Sequence, residues 1–196
     1  MITYNDFIAK LTESLKGSGY QVYQGNSQIS ELLRSSSIQQ TDSVKEVEDA
    51  MQGYQFGVAA FKKRFLRVDK SCVVSKSNMP SIDEVNRYLD CTFYMGLGIA
   101  KAIENGNEYK HRVVVCGLAS ERGYDPDVIS DVENSIGKQS SVMLRRTVYN
   151  HFGFPVLIDL TNGGVFYFSK SKFLGHSLYS AMHEIVRENF QPSLRQ

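Results

Sequence analysis

The sequence has almost no net charge, and no apolar run in it is long enough to cross a bilayer. Its 22 basic and 21 acidic side chains give a formal net charge of +1, so the overall charge indicates no attraction to nucleic acid or to a membrane surface. A membrane-spanning helix needs about 20 predominantly apolar residues in succession, so we expect no membrane partner. The first residues do not join a basic segment to an apolar one, so we expect no secretory signal.

Cysteine is scarce. The three cysteines, Cys72, Cys91 and Cys116, are odd in number and are not spaced like the ligands of a zinc knuckle. Free thiols persist in a reducing compartment. We therefore expect a cytoplasmic protein. The glycine-containing stretches of the sequence do not match a phosphate-binding loop, and we expect no cofactor.

A length of 196 residues fits one domain. An apolar content of 42% and a charged content of 22% are ordinary for a soluble globular protein. We therefore predict a single domain over residues 1–196. Within it, residues 1–41 can form an N-terminal arm that ends in a flexible loop, because the segment 25–41 is rich in Ser, Gln and Asn.

The clearest structural signal is a pair of apolar runs in the segment 154–170. The runs 156–160 and 165–168 are separated by Thr161, Asn162 and two glycines. Asn-Gly tolerates the positive φ angles of a tight turn, so the pattern predicts an antiparallel hairpin. Both runs are apolar on successive residues, so we expect both strands to be buried on both faces, near the middle of a sheet.

Hydrophobic spacing predicts the other elements, and Ser81 is expected to cap the helix that starts at residue 82. Helices are expected over 3–16, 30–34, 82–103, 126–136, from Ser140 or Ser141 to 149, and over 172–189, and strands over 20–24, 66–75 and 111–118. The segment 42–65 reads as one long helix, and the alternative is a break near Gly53 followed by a strand at 55–60.

The order of these elements predicts an α/β (or α+β) fold. We expect a mixed, mostly parallel central sheet with helices on both faces, which ends in a β-hairpin and a C-terminal helix. The connections from 66–75 to 111–118, and from there to 155–160, are long enough for parallel, right-handed crossovers.

Cys116 is the best candidate for a catalytic nucleophile, because it stands near the end of an apolar strand, where ligands bind in such sheets. His111 begins the same strand, roughly 17 Å away, so any basic partner would have to be His151. A pocket near Cys116–Arg122 would lie at this end of the strand, and Arg122 is the candidate residue that anchors an anion there. Buried cysteine more often serves as a small apolar residue, so catalysis is the weaker interpretation.

One segment of the chain concentrates basic residues. Basic side chains that alternate with aromatic ones can follow a phosphate backbone and stack on bases. Phe61 and Phe65 lie among the basic residues, but they also fall on the apolar face of the predicted helix, where they would belong to the core. The basic residues are Lys62, Lys63, Arg64, Arg67 and Lys70.

Histidine spacing does not predict a metal site. His176 and His183 lie two helical turns apart, roughly 10 Å, which is too far for one ion to bind both. The acidic residues near Asp125 and Pro126 are explained by the start of a helix. We therefore expect no bound metal.

Three hypotheses for the function follow. The first is a non-catalytic interaction or regulatory domain that binds a protein partner or a second copy of itself. Its contact regions would be the segment 25–41 and the tyrosines Tyr4, Tyr20 and Tyr23, because tyrosine is enriched at interfaces. The alternatives are a nucleic-acid-binding protein that uses residues 62–70 and a small-molecule enzyme or sensor with a pocket near Cys116–Arg122.

Overall fold

The computed structural model describes residues 2–35, 53–63, 68–103, 110–144, 146–168 and 176–195. In chain order, the elements are α1 (Tyr4–Gly17), β1 (Gln21–Gln24), α2 (Gly25–Ser35), β2 (Phe56–Lys62), β3 (Asp69–Lys76), α3 (Ile82–Ile103), β4 (Arg112–Ser120), α4 (Pro126–Asn134), β5 (Lys138–Leu144), β6 (Thr147–Asp159), β7 (Gly164–Tyr167) and α5 (His176–Ile185). A π-helical turn (Val186–Phe190) and the short helix α6 (Gln191–Ser193) continue α5.

The seven strands of the described residues form one mixed sheet in the order β1-β2-β3-β4-β6-β5, and β7 also pairs with β6. The pairs β3–β4 and β4–β6 are parallel, so the parallel pairing predicted for these strands is confirmed. The other four pairs are antiparallel, so the expectation of a mostly parallel sheet is not confirmed. Three of these pairs, β2–β3, β5–β6 and β6–β7, join successive strands through a short connection, which leaves no room for the crossover that a parallel pair needs.

Alternate residues of the central strands belong to two different hydrophobic clusters. In β4, Val113 and Val115 belong to the first cluster, and Val114 and Cys116 belong to the second. The first cluster also contains buried residues of α1 and α5, and the second contains buried residues of α2, α3 and α4. All nine residues of β4 are buried, as its continuous apolar sequence predicts for an interior strand.

The hairpin predicted from Asn162 and Gly163 is present. β6 and β7 pair antiparallel with Asp159 opposite Gly164, and Gly163 has a φ of +77°. The expected burial holds for β6, which is buried throughout residues 151–159 and lies between β4 and the strands β5 and β7. For β7 it is wrong, because all four β7 residues are only half-buried, as befits a strand at an edge.

The segment predicted as a long helix contains β2, so the alternative interpretation is confirmed where the structure describes it. Residues 42–52 lie outside the described part of the chain. In this strand Gly57 lets α1 approach the sheet closely. A Cβ atom on Gly57 would lie 2.6 Å from the hydroxyl oxygen of Tyr4 and 2.6 Å from a methyl carbon of Ile8.

The helix predicted from Ser140 or Ser141 to 149 is wrong, because these residues form β5 and the start of β6. Val142 pairs with Tyr149 and Met143 pairs with Val148 across the two strands. The chain reverses next to Arg146, which has a φ of +72°.

Residues 2–24 are part of the sheet and its packing. β1 pairs with β2, and the buried side chains of α1 belong to the first cluster. The backbone N–H of Ile2 donates to the carbonyl oxygen of Leu160 at 3.4 Å. α2 begins at Gly25, five residues before the predicted helix, and residues 36–41 lie outside the described ranges. The single-domain organisation stays a prediction.

Candidate functional site

The carboxyl end of β6 carries a buried acidic side chain, Asp159, which is 3% exposed. One carboxylate oxygen accepts hydrogen bonds from the Thr161 backbone N–H at 2.8 Å and from the Thr161 hydroxyl at 2.6 Å. The other accepts from the Asn162 side-chain amide at 3.0 Å. Asp159 therefore fixes the turn between β6 and β7.

A second buried carboxylate, Glu84 at the start of α3, fixes the loop that follows β3. It is 3% exposed, and it accepts from the Ser77 hydroxyl at 2.5 Å and from the backbone N–H groups of Asn78 and Met79 at 2.7 Å and 3.1 Å. Ser81 caps the helix as its position predicts, since its hydroxyl accepts from the Glu84 backbone N–H at 3.3 Å. Both carboxylates at this end of the sheet are thus bonded to loops.

Arg122 is exposed in the loop after β4, at the same end of the sheet. Its backbone N–H donates to the Ser120 hydroxyl at 3.1 Å. Nearby, the Tyr124 hydroxyl donates to the Leu118 carbonyl oxygen at 2.7 Å, and burial raises the pKa of Tyr124 well above its usual range. Because Arg122 is exposed, an anion in solvent can reach it. Its role as an anion anchor stays a prediction.

The candidate nucleophile, Cys116, is buried inside the sheet. Its side chain is 1% exposed, and its sulfur lies 3.9 Å from the Val114 carbonyl oxygen. Burial raises the pKa of the Cys116 thiol to about 12, and it raises the pKa of Cys72 equally, to about 12. At neutral pH both sulfurs are therefore protonated thiols rather than nucleophilic thiolates.

His151 lies at the other end of the parallel strands from Arg122, and it is not a neighbour of Cys116. Cys116 pairs with Pro155, and His151 pairs with Arg112, so the two are separated by four strand positions, roughly 13 Å. The His151 imidazole has its own contacts. Nε2 lies 3.1 Å from the Lys110 carbonyl oxygen, and Nδ1 lies 3.5 Å from the Ser140 hydroxyl. The structure does not bring the predicted catalytic pair together.

The predicted basic patch is divided between different environments. Lys62 donates to the Ser18 carbonyl oxygen, and its ammonium lies 5.3 Å from the centre of the Tyr20 ring. Lys63 is exposed, whereas Lys70 is 2% exposed. The remaining two members, Arg64 and Arg67, lie outside the described residues. Nucleic-acid binding through this patch stays a prediction.

Hydrophobic spacing gave no sign of the buried charges that line the amino ends of β3 and β4. Asp69 is fully buried and Arg112 is 1% exposed, and the two are neighbours in register. One Asp69 carboxylate oxygen lies 4.0 Å from Arg112 Nε and 3.6 Å from Lys110 Nζ. Lys70, the next residue of β3, pairs with Glu184 of α5. Charged residues next to an apolar run usually lie at the end of a strand and face solvent. The sequence therefore did not predict that Asp69, Lys70 and Arg112 are buried.

The strands β5 and β6 extend past the end of their neighbour β4 and form a projecting hairpin arm, described over residues 141–144 and 146–150. β4 begins to pair with β6 at His151, whereas β5 pairs with β6 as far back as Thr147. Four positions of β6 therefore lie beyond β4, a length of roughly 13 Å. At the base of the arm, the Asn150 backbone N–H donates to His111 Nδ1 at 3.1 Å.

The hairpin arm carries two exposed apolar side chains on one face. Met143 is 73% exposed and Val148 is 43% exposed, and the two are opposite each other in register. Single exposed apolar residues are common on protein surfaces, but an adjacent pair on a projecting ribbon is a typical contact for another molecule. Because the sequence predicted a helix in this segment, it did not predict that Met143 and Val148 are neighbours.

Comparison with known proteins adds no relative. No family model, no curated protein and no solved structure matches this chain. In the part of the chain that the structure describes, three or more His, Cys, Asp or Glu side chains are nowhere grouped so that they could hold a metal ion. Among the same residues, none of the helices has the length and apolar character needed to span a membrane.

Proposed function

We propose that this protein is a non-catalytic interaction or regulatory domain that binds a protein partner through the hairpin arm. The observation that carries the proposal is the exposed pair of Met143 and Val148 on a ribbon that projects past β4. We infer that helices cover both faces of the sheet and make it a rigid support. The two hydrophobic clusters, which divide the alternate residues of β4 between them, support this inference.

A surface that is ordered before binding loses little conformational freedom when the partner arrives. Several contacts order the arm. The two strands are joined in register from Leu144–Thr147 to Lys138–Gly153. The His111 ring lies 5.8 Å from the Tyr149 ring, centre to centre. Lys138 lies 2.5 Å from a carboxylate oxygen of Asp90 on α3, which ties the start of β5 to the helix.

The two other hypotheses have less support. Lys62 already contacts Ser18 and the ring of Tyr20. It is therefore less available to bind the phosphate backbone of a nucleic acid. Cys116 is buried. This weakens the hypothesis of an enzyme with a nucleophile near Arg122. The cytoplasmic location is part of the proposal, and three free cysteines support it.

Site-specific photo-crosslinking tests the proposed function. A photoreactive amino acid replaces Val148 in the protein expressed in its own cells, and in a matched variant it replaces Asp127, an exposed residue of α4. We expect a discrete crosslinked species from position 148 that is absent at position 127. A chain that yields no species at 148, or the same species at both positions, contradicts the proposal.

A polar substitution in the arm provides the second measurement. Met143→Ser removes apolar contact area, so we expect it to weaken the crosslink formed from position 148. Because Met143 is 73% exposed, the free energy of unfolding should change by no more than about 0.5 kcal/mol. A crosslink that survives this substitution at full yield argues against the apolar pair as the contact.

A further inference from the structure

We propose that the partner of the hairpin arm is a second copy of this chain, and that the two β5 strands pair antiparallel about a two-fold axis at Ser141. This inference rests on the proposed function of the arm as a binding surface. It goes further by naming the occupant, the register and the atoms that form the contact.

The backbone of β5 has a set of groups that point away from β6. In an antiparallel hairpin with a two-residue loop, the pair next to the loop exchanges both hydrogen bonds, and bonding then alternates along the strand. Here that pair is Leu144 and Thr147. The N–H and C=O groups of Gln139, Ser141 and Met143 therefore point outward, and the side chains of all three residues are exposed.

Charge along β5 favours an antiparallel second copy. Lys138 is the only charged residue of the strand KQSSVML, and it is already held by Asp90 and by the ring of Tyr94, 4.6 Å from its ammonium. The rest of the strand lacks the charges that usually protect an edge from pairing. Antiparallel pairing places the two Lys138 side chains at opposite ends, whereas parallel pairing in register would place them side by side.

A centre at Ser141 gives the longest overlap. All seven residues of β5 then pair, with Lys138 opposite Leu144 of the second copy and Gln139 opposite Met143, and about six hydrogen bonds form. The small Ser141 side chains meet at the axis. Because the arm projects past β4 and the strands run in opposite directions, the bodies of the two copies extend away from each other.

Disulfide trapping tests both the occupant and the register. The variant is Ser141→Cys in a Cys91→Ser background, which leaves only the buried Cys72 and Cys116 as native thiols. Hydrogen-bonded partners across an antiparallel pair have Cα atoms about 5.5 Å apart, within the range that a disulfide spans. We expect the Ser141→Cys variant to form a covalent dimer under mild oxidation.

The matched control is Gln139→Cys, on the same edge and the same face. In the proposed register each residue 139 lies roughly 13 Å from its equivalent, so we expect no covalent dimer. Equal trapping at both positions, or no trapping at 141, overturns the proposal. Preferential trapping of Met143→Cys overturns the register.

Sedimentation measures the association without a crosslink. Ser141→Pro removes one outward N–H and leaves the pairing with β6 intact, so we expect the dimer dissociation constant to rise by about tenfold or more. Ser141→Ala keeps that N–H and should leave the constant unchanged. A wild-type chain that stays monomeric at every concentration overturns self-pairing. If position 148 still crosslinks to a different protein, the proposed function survives that result, and if it crosslinks to nothing, both fail.

Discussion

At the scale of the residue, burial decides what the candidate side chains can do. Cys116 has the sequence position of a nucleophile, at the carboxyl half of an interior strand, but the fold closes its sulfur off from water. Removing a proton from a buried thiol places a charge in an apolar surrounding, which is why the pKa rises. Strand position and reactivity are thus separate properties, and the sequence shows only the first.

Thiol labelling checks this directly. With a pKa of about 12, roughly one Cys116 in ten thousand is a thiolate at pH 8. We expect iodoacetamide to leave Cys116 and Cys72 unmodified in the native protein, as measured by mass spectrometry of its peptides. Burial raises the pKa of Cys91 to about 12 as well, but Cys91 is only partly buried, so the reagent should reach it sooner, and all three should react in guanidinium. Rapid native labelling of Cys116 would restore the nucleophile hypothesis.

His183 is a residue whose protonation is coupled to folding. Burial, and then the neighbouring positive charge of Arg187, lower its pKa below the usual 6.5, and its Nδ1 lies 3.1 Å from the Tyr167 hydroxyl. The unfolded chain therefore binds the proton more readily than the folded one. The stability that this group contributes is present above about pH 6.5 and is lost as the pH falls through the folded-state pKa.

Nuclear magnetic resonance titration of the His183 ring measures that pKa. We expect a midpoint below 6.5 in the wild type and an upward shift in Arg187→Gln, because that variant removes the like charge. Burial is the larger cause, so the shift should not restore the full value. A midpoint at or above 6.5 in the wild type contradicts the expectation.

At the scale of the element, the predictions are correct where the sequence contains residues that are typical of turns and helix caps. Asn162 and Gly163 mark the β6–β7 turn, and Ser81 marks the start of α3. The hairpin arm carries no such mark, because the described residue of its turn is Arg146, and an Arg with a φ of +72° is not foreseeable from its identity. The apolar spacing of the arm also fits a helix, so periodicity alone chose the wrong element.

The start of β5 depends on a close backbone contact. Gly137 has a φ of +75°, and a Cβ atom there would lie 2.0 Å from the Gly153 carbonyl oxygen of β6. A backbone atom in the middle of a sheet cannot move aside as a flexible side chain can. This contact lets β5 enter the sheet next to β6 and so helps to set the register of the arm.

Two glycine-to-alanine substitutions distinguish the cost of the collision with Gly153 from the cost of a positive φ alone. Gly163 has nearly the same φ, +77°, with nothing within 4 Å of an added Cβ, so Gly163→Ala should cost about 1 kcal/mol. Gly137→Ala adds the collision and should cost about 3 kcal/mol or more. Urea unfolding of both variants gives the difference. Equal losses would show that the contact with Gly153 does not matter.

At the scale of the whole molecule, the sheet and its helices are joined by charge as well as by apolar packing. The run of valines in β3 and β4 predicted the interior of the sheet. The ion pairs at its amino end depend on which strands become neighbours, and a single sequence does not reveal this. Asp69 meets Arg112 only because β3 and β4 pair in parallel. Lys70 meets Glu184 only because α5 packs beside the same strand.

The pair of Lys70 and Glu184 provides the test at this scale. Lys70 is 2% exposed and Glu184 is 30% exposed, so removing the carboxylate charge leaves a buried ammonium with less compensation. We expect Glu184→Gln to lower the free energy of unfolding by about 1–3 kcal/mol. The control, Glu188→Gln, changes a carboxylate that is 46% exposed beside Arg187 and should cost at most about 0.5 kcal/mol.

A double-mutant cycle with Lys70→Met isolates the pair itself, because methionine keeps much of the lysine volume without its charge. If the ion pair couples α5 to β3, Glu184→Gln should cost little in the Lys70→Met background, and the coupling energy should exceed about 1 kcal/mol. Urea unfolding of the four proteins gives that energy. Additive losses would mean that apolar packing alone holds α5 to the sheet, because the carboxylate would then contribute independently of the ammonium it faces.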